Sequence, residues 1–137
     1  MKRIDREPPI QVAIVQWLEK QFPDWVVHHC KMEINKRGKA IQIEIAKAKR
    51  KGSKVGFPDL LVLPWAHIGP LFLEVKAEGN YASTAQKDMH KQLRTLGYRV
   101  AVVRSIEDVQ EALAGWAIWT DDRSPLAKEI PMKGTIS

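Results

Sequence analysis

A single cysteine, Cys30, stands among 137 residues, so no disulfide can form within the chain and no cysteine-based zinc framework is available. It reads as a small buried thiol rather than a nucleophile. The histidines are four, His28, His29, His67 and His90, and none stands at a Cys/His ligand spacing. The adjacent pair His28 and His29 projects to opposite faces of any strand, which excludes joint chelation of one ion. No apolar run approaches the roughly 18 residues of a membrane span. The opening Met1-Lys2-Arg3-Ile4-Asp5-Arg6-Glu7 has no apolar stretch of the secretory kind, so a cytoplasmic protein with no membrane partner is expected. Repeats and low-complexity blocks are absent too, and the expectation is one domain over residues 1–120 with a C-terminal extension, 121–137, that lacks periodicity.

Positive charge is what the chain has in excess. The net charge is +6, and 28% of the residues are charged against 45% hydrophobic, an ordinary globular balance. The excess is local: between Lys31 and Lys54 nine Lys or Arg residues face only Glu33 and Glu44, and the remainder is close to neutral. Such a segment favours a polyanionic partner. Of it, Lys36, Arg37, Lys39, Lys47, Arg50, Lys51 and Lys54 are the candidates for contact with backbone phosphates. No zinc finger, recognition helix or aromatic platform is visible, so backbone or shape recognition is expected rather than base readout.

Taken in order, Pro9 to Gln21 predicts a helix. Pro8 and Pro9 suit its entrance, and Ile10, Ala13, Ile14, Trp17, Leu18 and Gln21 form its inner side. Glu19 points away from that side, whereas Glu7 lies at its edge, just outside the first turn. Trp25 to Ile34 reads as a strand, and Ala40 to Lys51 as a helix that turns Ile41, Ile45 and Ala48 inward and carries Lys47, Lys49, Arg50 and Lys51 at its end. Ser83 with Gln86 forms a capping box that opens a further helix, with Ala85, Met89, Leu93 and Leu96 inward and a stop at Gly97. Tyr98 to Val103 is a strand covered on both faces. Ser105 then caps a last helix with Ile106, Val109, Leu113 and Trp116 at helical spacing.

Gly56 to Ala77 organises the rest. Two short Leu- and Val-rich runs flank a loop holding Pro64 and Pro70, which predicts an antiparallel hairpin. Three charges interrupt the apolar pattern: Asp59 at the start of the first strand, and Glu74 and Lys76 in the second. Alternation places Glu74 and Lys76 on the face of Phe72 and leaves Leu71, Leu73 and Val75 on the other. Ions on a buried strand are costly unless paired or metal-bound. A register that sets Asp59 across from Glu74 or Lys76 would bring all three together, and a slip of one residue would send Asp59 to the opposite face. Two converging carboxylates and an ammonium suit a hard divalent cation beside a water and a phosphoryl oxygen, the requirements of phosphodiester hydrolysis.

Pro58-Asp59 followed by Glu74-Val75-Lys76 resembles the PD-(D/E)xK nuclease signature. With Gly56-Phe57-Pro58-Asp59-Leu60-Leu61, Gln86 and the run from Gly97 to Ser105, the chain resembles the VRR-NUC family of that superfamily. The resemblance implies a restriction-endonuclease-like α/β core, a mixed sheet flanked by helices. It implies Asp59, Glu74, Lys76 and Gln86 as catalytic residues, and Mg²⁺ or Mn²⁺ held by Asp59, Glu74 and the carbonyl of Val75. A further acidic group from the first helix is implied, with Glu7 chosen over Glu19 and Glu33 as a second candidate. Gln86 has two readings, a helix cap and a polar residue of the site. Stand-alone relatives resemble homodimeric nucleases acting on branched DNA such as four-way junctions. Two rivals stand beside this reading: a flap- or restriction-type nuclease of the same superfamily, and a non-catalytic basic module that binds nucleic acid.

Overall fold

Every residue of Leu71–Val75 is buried, because its two faces are covered by different helices. The computed structural model describes residues 7–30 and 38–119. In chain order these form α1 (Glu7–Gln21), β1 (Val26–His29), α2 (Lys39–Arg50), β2 (Leu60–Leu63), β3 (Leu71–Val75), α3 (Thr84–Thr95), β4 (Arg99–Val103) and α4 (Ile106–Gly115). The sheet order is β1-β2-β3-β4. β2 pairs antiparallel with both β1 and β3, and β4 joins β3 in parallel through α3. The expected mixed α/β sheet flanked by helices is therefore present. None of the described helices is long and apolar enough to cross a membrane.

The alternation in β3 divides the core in two. Leu71, Leu73 and Val75 join Ile14 and Leu18 of α1, Val109 and Leu113 of α4, and an aromatic group of Phe22, Trp25 and Trp119. Phe22 and Trp25 stack with centroids 3.7 Å apart. On the opposite face Phe72 and Val100 meet Leu93 of α3, with Met89, Leu61 and Phe57 packed around them. Each fully buried Leu, Val or Phe contributes about 1.5–3 kcal/mol, so the larger cluster carries most of the stability. The smaller one fixes α3 against the face that bears Glu74.

Several boundaries differ from the sequence pattern. α1 begins at Glu7, two residues early, since prolines are tolerated in a first helical turn where their missing N–H has no partner to lose. Ala13 is exposed rather than inward, and so is Leu96, which is the C-cap of α3 rather than part of its packed face. The strand expected from Trp25 to Ile34 is regular over Val26–His29, and Cys30 extends its pairing through an N–H donated to the Asp59 carbonyl at 2.8 Å. Residues 31–34 lie outside the described residues, as does the extension beyond Trp119. α2 buries none of its residues fully: Ile41, Ile45 and Ala48 face inward as expected but are only half-buried.

Gly56 ties the entry of β2 to α3. Its φ of 83° lies in the left-handed region, and a Cβ there would overlap the main-chain carbonyl of Ala85 and come within 2.9 Å of the Gln86 nitrogen. Replacement by alanine therefore meets both backbone strain and a clash with rigid helix backbone. Gly56→Ala should lower stability by about 1–3 kcal/mol, read from denaturant midpoints. An unchanged midpoint would show that the loop and helix do not approach this closely.

Candidate active site

Register decides what β2 and β3 can bring together. Leu60 pairs with Leu73, so the next position sets Asp59 opposite Glu74, and antiparallel partners share a face. Pro58 then falls opposite Val75 and stops the ladder, having no N–H to donate. Beside it the Asp59 side chain engages the strand end: its Oδ2 accepts the Val75 N–H at 2.8 Å. The Val75 carbonyl turns toward the same neighbouring strand, where proline offers it no ladder donor. A carbonyl oxygen and two buried carboxyl groups, Asp59 at 4% exposure and Glu74 at 0%, thus come from two adjacent strand ends.

Glu74 is gripped from α3. Gln86 Nε2 donates to its Oε2 at 3.3 Å, and His90 Nε2 lies 3.0 Å from its Oε1. The orientation of the Gln86 amide follows from the helix cap. Its Oε1 accepts the Ser83 N–H at 2.8 Å while Ser83 Oγ accepts the Gln86 N–H, which leaves the Nε2 end for Glu74. The two readings of Gln86 are therefore one: the capping box aims the amide at the carboxylate.

His90 is 2% exposed. Burial pushes its pKa below the usual imidazole range, the cationic Arg94 and Lys76 push it the same way, and Asp59 opposes them. In its neutral form the imidazole can donate an Nε2–H to the carboxylate as a hydrogen bond. Lys76 lies on the Glu74 face, half-buried, with its N–H donated to Val103 at 3.0 Å.

Around this centre stand further groups. Glu7 reaches the end of β3 from the first turn of α1, its Oε2 3.5 Å from the Ala77 nitrogen and 3.2 Å from Asn80 Nδ2. Glu19 is exposed and far along the helix. A cleft of about 540 Å³ opens beside Asp59 and Gln86 under α2, lined by Ile45, Val55 and Phe57 and by the cations Lys49 and Lys54. Lys39, Lys47, Arg50 and Lys51 are exposed, Lys47 lying 3.9 Å from Glu44. Lys36, Arg37 and Glu33 lie outside the described residues. Cys30 lines the cleft with its thiol pKa raised, by burial first and by the Asp59 charge, which keeps it protonated and poorly nucleophilic near neutrality.

The structure thus gathers Asp59, Glu74, the Val75 carbonyl and Gln86, with Lys76 on the same face and Glu7 at the strand end. Among the described residues no group of three or more His, Cys, Asp or Glu side chains is placed to hold a metal. Sequence reasoning missed His90. Its signal was spacing: it follows Gln86 by four residues on one helix, and a side chain i+4 from a group facing β3 faces β3 as well.

A VRR-NUC domain model matches residues 5–107. The chain is similar to a solved structure described as a VRR-NUC domain protein, at 28% identity and a TM-score of 0.62, over 85% of this chain and 90% of that one. A second, described as a VRR-NUC domain, shares the fold at 23% identity and a TM-score of 0.54, over 81% and 97%. No curated protein matches.

Acidification tests the state of His90. In the metal-free protein the unfolded chain takes up a proton at this residue near pH 6.5, before the folded chain does. The stability contributed by the neutral imidazole is complete above that pH and lost as pH falls toward the lower folded value. Melting temperatures from about pH 8 to about pH 5 should show this loss, and His90→Gln should lack it. Parallel pH curves for the two proteins would assign an ordinary pKa to His90.

Proposed function

The chain belongs to the VRR-NUC domain family, a nuclease-type family, and from that premise we propose that it is a divalent-metal-dependent DNA endonuclease that hydrolyses phosphodiester bonds in branched DNA such as four-way junctions, acting as a homodimer. The observation that carries the proposal is the registered acidic pair, Asp59 opposite Glu74, with Lys76 on the same face.

The donor set fits a hard cation. Asp59, Glu74 and the Val75 carbonyl would hold Mg²⁺ or Mn²⁺, with Glu7 as a further acidic group near the end of β3. Two or three protein oxygens suit Mg²⁺, which keeps several waters and takes phosphate oxygens as ligands. When bound, the ion supplies polarisation of the scissile phosphate and acidification of a water. The chain's own groups do the rest. The Lys76 ammonium orients a water for in-line attack and offsets the negative charge that builds on the phosphoryl oxygens. Gln86 keeps the Glu74 carboxylate oriented for the cation, and burial of both carboxyl groups strengthens each of these interactions.

Substrate contact falls to the basic segment. Lys49 and Lys54 stand on the cleft beside Asp59, and Lys39, Lys47, Arg50 and Lys51 extend the positive surface along α2. These are contacts to phosphates, which position a duplex without reading its sequence. A symmetric pair of subunits would supply one active site for each of two strands.

Asp59→Ala and Lys76→Ala should each reduce cleavage by at least about 100-fold while DNA affinity stays within a few-fold. The assay compares labelled four-way, flap and linear DNA with and without Mg²⁺ or Mn²⁺. Metal-dependent cleavage surviving in both variants would remove the assignment, and equal cutting of all three substrates would remove the preference for branches. Lys49→Glu with Lys54→Glu should weaken binding to every DNA alike and lower the salt dependence of log K by about 2, measured by fluorescence anisotropy across a salt series.

A further inference from the structure

We propose that His90 is a positioning residue of the active site, paired with Gln86 in a clamp that sets the Glu74 carboxylate for cation binding. The inference rests on the metal-site reading above and adds to it a residue that touches neither substrate nor cation.

A carboxyl group with no solvent contact needs protein groups in place of its water. Both Glu74 oxygens are so provided: Oε2 faces Gln86 at 3.3 Å and Oε1 faces His90 at 3.0 Å. The donors come from successive turns of one helix, so their spacing is fixed by helix geometry and not by two independent loops. That helix is itself immobilised. Its first turn is locked by the Ser83–Gln86 capping box and abutted by Gly56, and Leu93 anchors it to Phe72 and Val100. A carboxylate held at both oxygens cannot rotate about its terminal torsion, which is otherwise soft. Deleting the His90 donor would let the carboxylate turn, and preorganisation of the site would be lost while its ligands remained.

The test is Mn²⁺ binding to the DNA-free protein, followed by electron paramagnetic resonance, together with kcat and KM on the preferred DNA. His90→Leu keeps the volume and removes the donor. It should weaken Mn²⁺ affinity by about 10–100-fold and lower kcat at low Mn²⁺ with KM for DNA little changed. His90→Gln, whose amide can still donate, should restore most of both. Should His90→Leu fail to fold, His90→Asn, too short to span the contact, takes its place in the comparison. A folded Leu or Asn variant that binds Mn²⁺ like the parent overturns the inference, as does a Gln variant no better than Leu. A parent that binds no Mn²⁺, or an Asp59→Ala variant that binds it undiminished, overturns instead the metal-site reading beneath it.

Discussion

A carboxylate withdrawn from water in the middle of a hydrophobic sheet has to be supported by its surroundings, and much of the order around Glu74 follows from that requirement. On the same face of β3 and β4, Phe72 and its partner Val100 pack against α3. The same packing brings two hydrogen-bond donors over the acid. The apolar contacts and the polar contacts are thus not separate achievements of the fold. Leu93 seats the helix, and once it is seated, Gln86 and His90 have nowhere to point but at the carboxylate.

The second acid arrives by a different route. Asp59 is placed by pairing with β3, and its Oδ2 accepts the Val75 N–H at the point where Pro58, with no N–H to donate, ends the regular ladder. The PD dipeptide then has a mechanical meaning in this chain: proline interrupts the exchange of hydrogen bonds, and the aspartate beside it both completes the interrupted strand and presents an anionic oxygen at the break. One lost backbone donor frees the geometry on which the proposed chemistry depends.

Much of this was legible in the sequence, for reasons that differ from residue to residue. The hairpin and the division of β3 into two faces follow from period-2 alternation, and the α3 start from the Ser83 to Gln86 spacing, because these are local rules. The register was not legible, since a seven-residue loop permits several pairings, and so Asp59 opposite Glu74 had to be seen. His90 escaped because histidine is polar and the inward face of α3 was drawn from apolar residues alone, with Leu96 included in place of it. A helix face that covers an ion is not an apolar face, and patterning by hydrophobicity is blind to it. The partial burial of α2 was likewise invisible: Ile41, Ile45 and Ala48 mark an inner side, but the depth to which that side sinks is set by tertiary structure, and here a cleft lies beneath it.

Gln86 answers to two masters, the start of a helix and the orientation of an acid. As a cap alone it would be interchangeable with glutamate, which closes the same box. Here that exchange would set a third anion against Glu74 beside the cleft, while asparagine, shorter by one methylene, would have to abandon one partner to reach the other. The position therefore tolerates far less drift than either duty imposes separately, and a single side chain makes correct initiation of α3 and correct assembly of the acidic centre the same folding event.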